Sequence, residues 1–208
     1  MSQTARQPFR IAVFASGSGS NFQALVDAVA AGKLDVTIEL LVCDKPQARV
    51  VERAAQAGVN AFVFRPKEYA SRAEYEAEIV RLLEERQIDL IVLAGYMRLI
   101  TSTLIDPYYG RIINIHPALL PAFPGVNGIG QALEYGVKVT GVTVHFVDGG
   151  MDTGPIIAQR TVEVAHDDTE ETLGAKLHRV EHELYPAVIS AIRDGRVHLD
   201  GRHVKVTS

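Results

Sequence analysis

The sequence is poor in several residue types that mark particular protein classes. It has one cysteine, Cys43, among 208 residues, and no tryptophan. A lone cysteine forms no internal disulfide and supplies no cysteine-based zinc site, so Cys43 reads as a small buried apolar residue. Basic residues are not in excess: 21 Lys and Arg stand against 25 Asp and Glu, a net charge of −4. That balance argues against a nucleic-acid partner held by phosphate neutralisation. No apolar run approaches the ~20 residues of a membrane span. The first residues, MSQTARQPFR, lack the apolar stretch of a secretory signal. There is no internal repeat and no low-complexity tract. What remains, 47% hydrophobic and 22% charged, is the composition of a globular chain. The expectation is one cytoplasmic domain over 1–208, with residues 1–8 a short lead-in.

The first half alternates between two patterns. Residues 10–15 (RIAVFA), 37–43, 61–64 and 89–95 (DLIVLAG) are short apolar runs with strand character. The last is apolar throughout, as in a strand buried on both faces. Between them, residues 22–31, 48–57 and a stretch after Ser71 have helical character. Ser71 and Glu74 form a capping-box pattern ahead of an apolar face of Tyr75, Ile79, Leu82 and Leu83. Strands alternating with helices predict a parallel sheet covered on both sides. The rhythm then changes. A strand over 111–115 runs into the Pro-rich HPALLPAFPG, followed by a short helix over 131–135. Residues 139–147 and 156–164 read as an antiparallel pair joined by DGGMDTGP. A long amphipathic helix over 169–193 carries Pro186 as a potential kink, Asp168 with Glu171 as a cap, and Gly195 as a stop. A closing hairpin follows over 197–206. The predicted fold class is α/β: a Rossmann-like, mostly parallel sheet with helices on both faces, continuing into an antiparallel C-terminal part.

Two segments carry chemistry. Ser16-Gly17-Ser18-Gly19-Ser20-Asn21 follows the first strand and opens a helix. Glycines permit close backbone approach, and a helix N-terminus presents free N–H groups and a positive dipole end, which together suit an anion. No Gly-Lys-Ser/Thr follows, so this is not a P-loop, and Phe22 stands where a dinucleotide fingerprint needs a third glycine. A phosphate monoester fits better, although an ordinary strand-to-helix turn has the same look. The second segment is Asn114 and His116, two apart at the end of an apolar strand, hence on one face and at the sheet's carboxyl edge. An amide and an imidazole suit acyl transfer, and Asp152 in the later glycine-rich loop is placed to face them. On its own the cluster also fits a buried structural histidine beside Pro117. No Ser or Cys nucleophile is apparent, which favours direct transfer to an amine. His145 belongs either to the core or to the cleft. His178 and His182 have i, i+4 spacing but no accompanying zincin Glu, and no metal is expected. His166, His198 and His203 read as surface residues.

Taken in order, GSGSNFQAL, LAGYMRLI, NIHPALLPAFPG, QALEYG, GVTVHFVD, MDTGPIIAQ and EHELYPAVI run from about residue 10 to 195 and resemble the folate-dependent phosphoribosylglycinamide formyltransferase family. Asn114-Ile115-His116-Pro117 with Leu119-Leu120-Pro121 carries the likeness to the wider formyltetrahydrofolate-using superfamily, and the Gly-Ser-Asn loop narrows it. The resemblance implies a ribonucleotide- and phosphate-binding half over about 10–110 and a folate-binding, catalytic half over about 111–208. It implies that Gly19, Ser20, Asn21 and Glu181 meet the ribonucleotide, and that Asn114, His116 and Asp152 are catalytic. Arg72, Leu93, Met97, Arg98, Leu99, Ile100 and Asn114 would meet the folate, with Tyr96 beside Leu93 at the pterin. The implied cosubstrate is 10-formyltetrahydrofolate, with no metal, no nucleic acid and no membrane; a homodimer is left open. His178 replaces the Lys or Gln that some members carry near the phosphate. Asn127 replaces a His and is assigned no catalytic role. Relatives that hydrolyse the folate carry an extra N-terminal domain, and those acting on methionyl-tRNA a C-terminal one; neither is expected here. A non-catalytic module using only the glycine loop is the alternative from a different class.

Overall fold

The computed structural model describes residues 7–207, so the reading of residues 1–6 as part of a lead-in lies outside the described residues. Among the described residues, nine strands and six α-helices follow one another as β1 (Arg10–Phe14), α1 (Ser20–Ala30), β2 (Thr37–Cys43), α2 (Arg49–Gln56), β3 (Ala61–Val63), α3 (Arg72–Glu85), β4 (Leu90–Leu93), α4 (Ser102–Ile105), β5 (Ile112–His116), α5 (Gly128–Tyr135), β6 (Val139–Phe146), β7 (Ile156–Glu163), α6 (Glu170–Arg193), β8 (Val197–Asp200) and β9 (His203–Val206). β1 to β7 form one sheet in the order β3-β2-β1-β4-β5-β6-β7, and β8 with β9 a separate hairpin. The pairs among β1 to β5 are parallel; β5–β6 and β6–β7 are antiparallel. The predicted switch from parallel to antiparallel is therefore present, and it falls next to the strand that carries Asn114 and His116.

Strand alternation divides the core into two. Ile11 and Val13 of β1, Leu90 and Val92 of β4, and Ile113 and Ile115 of β5 face the layer containing Phe22 and Leu25 of α1, Val50 of α2, and Leu177, Leu184 and Tyr185 of α6. Ala12 and Phe14, Ile91 and Leu93, and Ile112 face the other layer, where α3 supplies Tyr75, Ile79 and Leu83 and α4 supplies Leu104. Both faces being covered explains why β1 and β4 read as unbroken apolar runs. The strand order reverses direction between β1 and β4, which opens a crevice at their carboxyl ends. Tyr185 of α6 fixes the floor of that crevice. Its buried hydroxyl donates to Leu93 O at 2.7 Å and lies 3.2 Å from Ile113 O, beside Asn114. Full burial pushes its phenol well above the ordinary value, so it remains a neutral donor.

Several boundaries differ from expectation. α1 begins at Ser20, two residues before Phe22, because Gly19 in left-handed backbone takes the N-cap position. α5 starts at Gly128 rather than 131, since Asn127 caps it by accepting from Gly130 N–H at 3.2 Å. That is a structural task for the residue left without a catalytic role. α6 is capped by Thr169, in a reciprocal box with Thr172, and not by Asp168 with Glu171. Asp168 instead accepts from Thr172 Oγ1 at 2.8 Å and Lys176 Nζ at 2.6 Å. Pro186 lies inside α6, and the helix continues through it. Ser71 caps α3 as expected, by accepting from Glu74 N–H, while the Glu74 carboxylate reaches back to Ala70 N–H. The Cys43 thiol is fully buried, and burial raises its pKa. Among the described residues no helix is long and apolar enough to cross a membrane.

Candidate active site

At the crevice lies a cleft of about 520 Å³, walled by residues 17–21, 93–100, 114–117, 125–129, 145, 147–152, 178 and 181. Its walls are the segments that leave β1, β4 and β5, closed from the antiparallel side by the loop between β6 and β7.

The β1 end provides the glycine cradle. Gly19 has φ +73°, and a Cβ there would lie 2.6 Å from Val50 Cγ2 and 3.0 Å from Val50 Cα. Glycine is thus required twice, by the backbone turn and by the approach of α2. No side chain caps α1, so the first-turn N–H groups, on residues that line the cleft, are uncommitted to a side-chain cap. Gly19→Ala is expected to cost about 2–4 kcal/mol, from the left-handed conformation plus overpacking against Val50. Urea denaturation measures it; a loss under about 0.5 kcal/mol would mean that α2 moves aside freely.

Asn21 sits differently from a simple phosphate donor. Its Nδ2 donates to Glu181 Oε2 at 2.9 Å, joining α1 to α6 across 160 residues of chain. Glu181 is buried, and as a carboxylate it can only accept, which fixes the amide's orientation. Asn21 Oδ1 is then left buried without a hydrogen-bond partner among the described residues. The atom offered to a ligand is therefore an acceptor, suited to a ligand N–H or O–H. His178, one helical turn before His182 and stacked on it, lines the cleft near this pair.

The β4 end is held from below by two buried carboxylates. Asp44 Oδ1 accepts from Ser16 Oγ at 2.5 Å and Asp44 Oδ2 from Arg98 Nε at 2.8 Å, while Ser16 Oγ accepts from Met97 N–H at 2.9 Å. The bond to Asp44 raises the pKa of Arg98, and the other guanidinium N–H groups have no hydrogen-bond partner among the described residues. Glu76, buried on the inner face of α3, accepts from the backbone N–H of Thr101 at 3.0 Å and also from its hydroxyl. These clamps shape the 95–100 segment, in which Met97 and Leu99 stand exposed at the rim. Arg72 is not among the lining residues. It is exposed at the first position of α3, whose inner face is given to Tyr75, Glu76 and Ile79. That one residue of the expected set lies off the cleft wall.

The polar cluster converges as expected, with an additional member. Asp152 Oδ1 lies 3.4 Å from Asn114 Nδ2 and 3.7 Å from His145 Nε2; Asp152 Oδ2 lies 3.6 Å from His116 Nδ1 and accepts from Gly125 N–H at 2.7 Å. Burial pushes the Asp152 carboxyl up, but the His145 contact, the Gly125 N–H and the flanking imidazoles together outweigh it, and its pKa is lowered. His116 Nε2 is 2.8 Å from Phe123 O, an acceptor only, so that nitrogen carries a hydrogen. His145 Nδ1 likewise meets Phe146 O at 2.8 Å, and its Nε2 lies 3.2 Å from Asn114 Nδ2. His145 enters because β5 and β6 pair with Asn114 directly opposite it. Its signal in the sequence was a histidine in the strand pattern GVTVHF, which only the register can direct to the cleft. Among the described residues no group of three or more His, Cys, Asp and Glu is arranged to hold a metal ion.

An amide, two imidazoles and a carboxylate around one point, beside an open helix N-terminus, are chemically suited to acyl transfer. Residues 9–189 match the family described as formyl transferase, and the chain belongs to that family. A phosphoribosylglycinamide formyltransferase from Bacillus subtilis is 53% identical over 183 residues, 88% of this chain and 94% of the relative. A trifunctional purine biosynthetic protein adenosine-3 from Drosophila melanogaster is 43% identical over 188 residues, 89% of this chain but 14% of that protein's length. The crystal structure of glycinamide ribonucleotide transformylase 1 from Symbiobacterium toebii superposes with a TM-score of 0.96 at 41% identity, covering 100% of this chain and 99% of that one.

Proposed function

We propose that this chain transfers the formyl group of 10-formyltetrahydrofolate to the amine of glycinamide ribonucleotide, giving formylglycinamide ribonucleotide and tetrahydrofolate, a step of purine biosynthesis. The observation that carries the reading is the convergence of Asn114, His116, His145 and Gly125 N–H on Asp152, in the same cleft as the uncapped start of α1. In this reading the whole chain acts as one cytoplasmic domain without a metal, and its partners are the two small molecules.

The ribonucleotide phosphate lies on the Gly19–Ser20 turn, while Asn21 Oδ1 accepts from an amine or hydroxyl of the same substrate and Glu181 holds Asn21 in place. The folate lies along Leu93, Tyr96 and the 97–100 segment, with Arg98 directed to its carboxylates and Arg72, off the cleft wall, left to a part of the folate that extends beyond the cleft. The neutral amine attacks the formyl carbon, and the carbonyl oxygen becomes an oxyanion. Asn114 Nδ2 lies 3.4 Å from Asp152 Oδ1, a long contact that leaves a hydrogen available to the oxyanion, and 3.2 Å from His145 Nε2. A developing oxyanion is a stronger acceptor than a carbonyl, so Asn114 binds it more tightly in the transition state than in the ground state. His116 has its Nε2 hydrogen committed to Phe123 O, so it acts through the Nδ1 edge facing Asp152. At 3.6 Å the pair is beyond direct hydrogen-bond length, and a water or the substrate amine lying on the cleft side of both atoms bridges them. Through it the proton leaving the amine nitrogen reaches N10 as the carbon–N10 bond breaks.

The test is a spectrophotometric assay of folate release, run with and without glycinamide ribonucleotide. Release that requires the ribonucleotide is the expected result. Equal release without it would make the protein a hydrolase, and ribonucleotide binding without release would reduce it to a binding module.

A further inference from the structure

We propose that Arg202, at the tip of the C-terminal hairpin, is a positioning residue that braces the Asp152 loop from outside. The proposal rests on the catalytic reading of Asp152 above. Asp152 has φ +54°, a left-handed conformation uncommon for a residue with a side chain. Such a conformation persists only where the surroundings over-determine it. Within the loop, Asp148 Oδ1 accepts from Gly150 N–H at 3.0 Å and from Thr153 Oγ1 at 2.6 Å. On the sheet side, the backbone at Gly154 presses so close to β6 that a Cβ there would lie 1.7 Å from Phe146 O.

The third restraint comes from a different part of the chain. Arg202 donates a guanidinium hydrogen bond to Thr153 O, on the residue that follows Asp152. The hairpin delivering it is itself fixed. Val197, Leu199 and Val204 pack on the main core, and Thr207 N–H closes the base on Arg196 O at 2.9 Å. Strand pairing of Asp200 with His203 leaves Gly201-Arg202 as a two-residue turn, with Gly201 at φ +55°. The hairpin lies beyond residue 189, where the family match ends, so the brace is built outside the family's matched segment. A charged donor on the Thr153–Gly154 peptide opposes the rotation by which Asp152 would relax out of left-handed backbone and draw its carboxylate away from Asn114 and His116.

Arg202→Ala is expected to lower turnover about tenfold, the scale of one charge-assisted hydrogen bond. The ribonucleotide KM and the melting temperature stay unchanged, and Arg202→Lys recovers part of the loss through its single ammonium. In an Asp152→Asn background, Arg202→Ala causes no further loss, because the brace acts through that carboxylate. Wild-type turnover in Arg202→Ala, the same tenfold loss in both backgrounds, or a lowered melting temperature with turnover intact would each overturn the brace. If Asp152→Asn alone were harmless, the catalytic reading would fail first and the brace with it. A harmful Asp152→Asn beside a harmless Arg202→Ala would remove the brace and leave that reading standing.

Discussion

Asp152→Asn is expected to lower turnover by about two to three orders of magnitude, with little change in the ribonucleotide KM. The substitution is nearly isosteric, so the loss is one of charge and hydrogen-bond polarity. The carboxylate has four neighbours: Gly125 N–H at 2.7 Å, Asn114 Nδ2 at 3.4 Å, and ring nitrogens of His116 at 3.6 Å and His145 at 3.7 Å. An amide has one oxygen. If that oxygen keeps Gly125, the amide NH2 turns towards Asn114, donor against donor. If it turns to Asn114, the Gly125 N–H loses its partner. Either arrangement also removes the negative charge beside His116 that would balance a proton passing through the ring. Steady-state kinetics at saturating substrate measure the effect; turnover within about threefold of wild type would exclude Asp152 from the chemistry.

The lowered pKa of Asp152 gives this variant a signature in acid. A carboxyl whose folded value lies below its unfolded value contributes stability that is fully present above the unfolded value, about 3.9, and is lost as pH falls through the folded one. The stability difference between wild type and Asp152→Asn should therefore be level from neutral pH down to about pH 4 and shrink below it. Because the carboxylate stays charged over that whole range, an acid limb of activity between about pH 5 and 8 reports a group other than Asp152.

What the sequence could and could not reveal divides by distance along the chain. Continuous apolar runs at 10–15 and 89–95 announced buried parallel strands because both faces of β1 and β4 are covered. Asn114 and His116 were legible because two residues of one strand share a face whatever lies around them. α4 was missed, since four residues are too few to show a helical period. The α6 cap was misplaced by one residue, because Asp168 and Thr169 are both good caps and only geometry chooses between them. Glu76 left a trace, a charge on the inner face of α3, but its partner Thr101 is 25 residues on. His145 needed the β5–β6 register and Glu181 a contact spanning 160 residues, and neither follows from local pattern. Glu181 came from the family resemblance, which carries long-range information that periodicity lacks.

Asn114→Ala should lower turnover by about a hundredfold or more, the loss of one oxyanion donor worth roughly 3–4 kcal/mol. Two effects add here. The first is direct: no other side-chain amide joins the convergence on Asp152, and the Nε2 hydrogen of His116 is held by Phe123 O. The second follows from the amide's resting partners. Without Asn114, His145 Nε2 loses its polar neighbour at 3.2 Å, and Asp152 Oδ1 loses its donor at 3.4 Å. The vacated space admits water to both, which raises the local dielectric where charge must develop. Because the amide is half-buried and its strand is pinned by neighbours on both sides, the fold should survive the change. The loss should then fall on kcat, with both KM values moving little, since ground-state binding rests on the α1 turn and the 97–100 segment. A variant whose KM for the folate rose in proportion while kcat held would place Asn114 in uniform binding, and the oxyanion would have to be held elsewhere.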